Sequence, residues 1–206
     1  MRRPDLPVAA CLSLGFLSGF PAVAEGGITT GKLSHTVEIA SHRWLAVVRE
    51  APSTKLAPFT TDGCSGGMSS LWTFTAERYP AFAAAHEGVP PWEDCCVTHD
   101  RAYHAGGADP DPEASYVARI EADKELQRCV AATASDRDDV LQDLYGMTEA
   151  QVRLVYEAIG AAMFQAVRLG GGPCTGLPWR WGYGYPHCWE TLGEDLHPFG
   201  GESSSY

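Results

Sequence analysis

Apolar and polar positions alternate along this chain in blocks that glycine and proline punctuate, and the blocks read mainly as helices. From His35 to Glu50, Val37, Ile39, Trp44, Leu45, Val47 and Val48 suit a helix or a strand, and periodicity leaves the two open. Pro52 and Pro58 mark a loop, and a Gly-rich turn, Thr61–Met68, leads into a helix over Ser69–Tyr79. Gly88-Val89-Pro90-Pro91 breaks the chain, and a helix starting near Pro91 should stop at Gly106-Gly107. Asp111 can cap the next helix, with Pro112 in its first position and Glu113 in its first turn, running to about Ala132.

Ser135 or Asp136 then caps a shorter helix that ends at Gly146. Thr148 opens another, whose stripe of Val152, Val155, Tyr156, Ile159, Met163 and Val167 reads as core packing rather than a membrane-surface face. Gly170-Gly171-Gly172 ends it. The segment 174–189 holds Trp179, Trp181, Tyr183, Tyr185 and Trp189 between glycines and prolines, a composition that suits packing and a lipid interface equally. The expected fold is mainly α, with irregular connections and no internal repeat.

The two ends read differently. Arg2 and Arg3 precede an apolar run from Val8 to Phe20, and Ala22-Val23-Ala24 offers small residues for cleavage, so 1–24 is expected to be a secretory signal peptide; an uncleaved anchor is the alternative. Residues 25–34 are expected to be a flexible start to the domain, which runs over 25–195, and 196–206 a disordered tail. Without Cys11 an even set of cysteines remains, Cys64, Cys95, Cys96, Cys129, Cys174 and Cys188, which in an exported chain implies disulfides of open connectivity. The expected location is therefore secreted, periplasmic or extracellular. A net charge of −11 without a basic patch argues against nucleic acid as a partner.

Chemistry concentrates in Cys95-Cys96-Val97-Thr98-His99-Asp100-Arg101-Ala102-Tyr103. On a helix Cys95, His99 and Tyr103 fall one turn apart on one face, while Cys96 and Asp100 lie about 100° around the axis. Were Cys95 to bond Cys129 on an antiparallel partner helix, His99 would come within a turn of Glu125 and Asp123. A His held by a carboxylate is a defined tautomer that can take a proton from water. Asp100 could serve a hard, oxygen-seeking cation, with carbonyls from the Gly-rich turn beside it. Zinc on His86, His99 and His104 is disfavoured, because His99 and His104 do not share a helix face and no H-E-x-x-H occurs. Ser65 lacks the G-x-S-x-G frame of a nucleophile elbow.

Cys95-Cys96-x-x-His99-Asp100-x-x-Tyr103, with Asp62-Gly63-Cys64 upstream and Asp123…Cys129 downstream, resembles the secreted phospholipase A2 family over residues 60–131. The resemblance implies a disulfide-linked antiparallel helix pair, here with additional helices and an irregular aromatic C-terminal region. It implies His99 as general base, Asp123 as its carboxylate partner and Tyr103 as a hydrogen-bond support. It also implies calcium on Asp100 and on carbonyls around Gly63, Ser65 and Gly67. The pairings it implies are Cys64–Cys96 and Cys95–Cys129, leaving Cys174–Cys188. Ala102 and Ala122 stand where the family carries a further disulfide, so that bridge is missing as a pair. The calcium turn is shortened, and the span from His99 to Asp123 has no room for the β-hairpin of the venom and pancreatic types. The implied function is calcium-dependent hydrolysis of the sn-2 ester of phospholipids in membranes or micelles. A catalytically inactive membrane- or protein-binding module on the same helix pair is the alternative.

Overall fold

The structure is a computed structural model that describes residues 30–64 and 67–190. The leader, Ser65 and the tail lie outside the described residues. Seven helices follow in order among those described, with no strand: α1 (Thr30–Glu50), α2 (Gly67–Arg78), α3 (Pro80–Ala85), α4 (Glu93–Ala105), α5 (Pro112–Ala132), α6 (Ala134–Tyr145) and α7 (Glu149–Gly170). The chain is mainly helical, as its pattern predicts.

Several boundaries have a clear local cause. Asp111 accepts from the Ala114 N–H at 2.9 Å to cap α5, with Pro112 just inside the helix. Thr148 and Gln151 form a capping box at α7. Gly106, at φ 67°, closes α4 in the left-handed conformation that glycine adopts without strain.

Other boundaries differ from expectation. Residues 30–34 are the first turn of α1 rather than a flexible lead, and the segment 35–50 is helical, because it buries Ile39, His42, Leu45 and Val48 along one stripe. Pro80 ends α2 by denying it an N–H, and starts the short α3, which buries Phe82 and Ala83. Helix α6 starts at Ala134, ahead of the expected cap at Ser135 or Asp136. Thr133 belongs to the ends of both α5 and α6, holds a helical conformation, and turns its hydroxyl back to the Cys129 carbonyl at 3.1 Å.

The layout centres on α5, which packs against α7, α4 and α1, while α6 packs on α7. Gly160 lets α7 approach α5 closely, since a Cβ there would lie 2.7 Å from the Gln127 carbonyl oxygen on α5. Trp92, Cys95, Cys96, Leu126, Val130, Val152, Tyr156 and Met163 belong to one buried apolar cluster. Of the α7 stripe, Val152, Tyr156 and Met163 are buried, and Val155 at its edge is exposed. A second cluster gathers Leu45, Tyr103 and Trp181, with Ala102 and Ala122 packed against it.

Three disulfides staple these layers: Cys64–Cys96, Cys95–Cys129 and Cys174–Cys188. They are the pairs the resemblance implies. The first ties the 51–64 loop to α4, and the second ties α4 to α5.

Segment 174–189 folds back over the end of α4. The Gly182 N–H donates to the Tyr103 carbonyl at 2.6 Å and the Gly184 N–H to the His104 carbonyl at 3.1 Å. Ser115 Oγ joins His42 Nδ1 (2.8 Å), Trp181 Nε1 (3.0 Å) and the Gly106 carbonyl (3.2 Å), tying α1, α5 and this segment at one buried point. Its aromatic residues therefore divide: Trp181 is core, and Trp189 is exposed.

Candidate functional site

The site begins with the Cys95–Cys129 bridge. It fixes α4 against α5, and one turn further along α4 His99 meets Asp123, with Nε2 at 2.9 Å from Oδ1. Both residues are buried. A carboxylate accepts only, so the ring proton sits on Nε2 and the lone pair on Nδ1. Tyr103, a further turn along, donates its hydroxyl to the same Oδ1 at 2.6 Å. Burial pushes the Tyr103 phenol well above its ordinary range, so it stays a donor.

Asp123 is fully buried, and its second oxygen is held from outside the helix pair. Arg168, in the last turn of α7, donates from Nη1 to Oδ2 at 3.0 Å. Arg168 Nη2 also reaches Glu38 Oε2 on α1 at 2.5 Å. Arg119, one turn before Asp123, donates from Nε to the Tyr103 oxygen at 3.2 Å and from Nη1 to Glu38 Oε1. Its Nη2 donates to the Val167 carbonyl at 2.6 Å. Two guanidinium groups and two carboxylates thus close a network around the dyad, with Arg119 and Asp123 buried and Glu38 and Arg168 partly exposed, each charge facing an opposite one. Burial works against the Glu38 carboxylate, but His42, Arg119 and Arg168 together outweigh it and hold the group at about 2.

Asp100 faces the other way. Its Oδ2 accepts from the Thr61 hydroxyl at 2.5 Å, so α4 presents it to the 61–64 turn. The Gly63 N–H donates to Thr61 Oγ1 at 3.0 Å, and the Cys64 N–H to Glu93 Oε2 at 3.2 Å. Gly63 sits at φ 67°, and a Cβ there would overlap the Glu93 carboxylate. Burial raises the Asp100 pKa, opposed by Thr61 and His99 and reinforced by the negative charges of Asp62 and Glu93.

His99 and Asp100 diverge on their helix yet meet at one small cavity of about 50 Å³, shared with Gly63, Cys64, Leu126 and Trp179. Gly67 is the first residue of α2, so the turn ends there, and Ser65 falls outside the described residues. The donors beside Asp100 are hard oxygens in a negative field, chemistry that fits calcium. Among the described residues no three His, Cys, Asp or Glu side chains gather to hold a metal, so such a site would depend on backbone carbonyls. His86 and His104 pack separately, against Phe82 and against Phe59 and Tyr183.

Sequence reasoning misses Glu38, Arg119 and Arg168. Arg119 carries a signal, its one-turn spacing from Asp123. Glu38 and Arg168 come from segments outside the resemblance, and nothing local marks them. A scan of protein-family models and searches of curated proteins and of solved structures found no match to this chain.

Proposed function

We propose that this protein is an exported, calcium-dependent phospholipase A2, hydrolysing the sn-2 acyl ester of phospholipids. The observation that carries the reading is the His99–Asp123–Tyr103 arrangement opening, with Asp100, onto one cavity. Asp123 holds His99 so that Nδ1 faces away with its lone pair and can take a proton from water. The water oxygen then attacks the ester carbonyl carbon, the acyl C–O bond breaks, and His99 returns the proton to the departing lysophospholipid oxygen. Asp100, with carbonyls at Gly63, Ser65 and Gly67, would hold calcium, which when bound polarises the carbonyl and steadies the oxyanion. Tyr103 and Arg168 keep the carboxylate in place without touching substrate.

Export is supported by the three disulfides, which suit an oxidising compartment. No described helix is long and apolar enough to cross a membrane. A lipid surface as partner is supported by Leu169, 91% exposed next to Gly170, over which Trp179 packs at the cavity.

The test is product analysis on phospholipids labelled at the sn-2 chain. Free labelled fatty acid is expected from the native chain and a loss of at least about a thousandfold for His99→Gln. Label retained on the lysolipid, or full activity in the variant, would overturn the reading.

A second reading, a lipid- or protein-binding module without catalysis, is favoured by the exposed Val37, Trp44 and Val47 on α1. It predicts vesicle binding with no product.

A further inference from the structure

Beside the small cavity lies a larger one of about 280 Å³, lined by Thr61, Asp62, Asp100, Pro178, Trp179 and Tyr183. Its walls combine two aromatic rings with two carboxylates. The rings are fixed in place. The Tyr183 hydroxyl donates to the Thr60 carbonyl at 2.7 Å, and its ring meets His104 edge-on at 5.1 Å. Trp179 lies against Gly170, where a Cβ would sit 2.5 Å from the indole. No Lys or Arg lines this cavity. Of the two cations adjacent in sequence to lining residues, Arg101 stacks over Phe59 at 4.5 Å from the ring centre, and the buried Arg180 donates to the Tyr185 carbonyl at 2.6 Å.

In the calcium-free chain an anion would meet Asp62 and Asp100 here with no lysine or arginine in the lining. A strongly hydrated cation such as ammonium gains little from a π-face. A quaternary ammonium is large, weakly hydrated, and attracted by both aromatic faces and carboxylates. Trp179 lines this cavity and the one that holds His99, so the two are neighbours.

We infer that the Trp179–Tyr183–Asp62 cavity is a binding site for a quaternary ammonium group. On the phospholipase reading, on which this use of the site rests, the ligand is the choline head group of the substrate, and the enzyme selects choline lipids over anionic ones. Trp179 is shared between head-group and reaction cavities, so a choline seated on it would set the ester's position relative to His99. Asp62 adds a charge preference against anionic head groups, since Asp100 would be taken up by calcium on that reading.

The test separates the cation site from the hydrolase reading by using tetramethylammonium on the full chain in calcium-free buffer with chelator, followed by ligand-observed NMR. tert-Butyl alcohol, similar in size and uncharged, is the control. Saturable binding of the cation and none of the alcohol is expected, weakened roughly fivefold in Trp179→Leu and in Asp62→Asn. Asp62 is exposed, so its variant should fold even if Trp179→Leu does not. Absence of cation binding, equal binding of the alcohol, or native affinity in Asp62→Asn and a folded Trp179→Leu would overturn the inference. A vesicle assay accompanies it: cation binding without fatty-acid release would uphold the site and remove the hydrolase reading. Release without preference for choline lipids would keep the hydrolase reading and remove the head-group role of the site.

Discussion

At the residue scale, the arrangement turns on which atom of Asp123 faces which partner. Oδ1 takes His99 and Tyr103, and Oδ2 takes Arg168. Arg168 is partly exposed, but removing it leaves an oxygen of the fully buried Asp123 without its cation, which costs more than the pair contributes. Arg168→Gln should therefore destabilise the chain by about 2–4 kcal/mol, read from urea denaturation midpoints. On the proposed hydrolase reading it should also lower turnover on the order of tenfold, because Asp123 loses its anchor. An unchanged midpoint would deny the network.

Glu38 gives the same network a pH signature. Its pKa is about 2 in the folded chain against 4.5 as the ordinary value. A depressed folded pKa means that its stabilising contribution is complete above the ordinary value and is lost as pH falls from 4.5 toward 2. Thermal unfolding at pH 5 and pH 3 should show a loss that is smaller in Glu38→Gln, whose amide has no proton to take up. Equal losses would count against the ion pairs with Arg119 and Arg168.

At the scale of elements, α4 is aimed by two disulfides with different duties. Cys95–Cys129 sets the separation of His99 from Asp123, and Cys64–Cys96 sets the turn against Asp100. Cys95→Ala with Cys129→Ala should cost about 3 kcal/mol, a usual value for such a loop. Its activity loss should persist at temperatures where circular dichroism shows the variant folded, since the dyad spacing depends on it. Activity that tracks only the folded fraction would reduce the bridge to a staple.

Much of this layer is legible in sequence because it is local. Asp111-Pro112, Thr148 and Gly106 each act within a turn or so of themselves, and each marks its helix end as expected. The 35–50 segment is not legible that way, because its helical stripe is fixed by what α1 packs on. The α5–α6 junction fails for a related reason: Ser135 and Asp136 look like caps, yet the chain never leaves helical geometry at Thr133. Glu38 and Arg168 are invisible locally, since a Glu and an Arg separated by most of the chain carry no pattern until the fold joins them.

At the scale of the molecule, the N-terminal helix and the chain beyond α5 serve the central pair directly. α1 brings Glu38, α7 brings Arg168, and segment 174–189 seats Trp181 against Tyr103, with ring centres 5.1 Å apart. The net charge of −11 disfavours approach to anionic bilayers. With chelator present, vesicle affinity measured by co-sedimentation should fall as the anionic lipid fraction rises, and added salt should restore part of it. Tighter binding to anionic vesicles would contradict this and show that a local basic patch outweighs the net charge.

The most direct measurement is fatty-acid release from choline-lipid vesicles, with calcium and with chelator, on the native chain and on His99→Gln. The account predicts release from the native chain with calcium, and loss of it with chelator or without the imidazole while the fold stays intact. Equal release in all these conditions, or none from a folded native chain supplied with calcium, would contradict it.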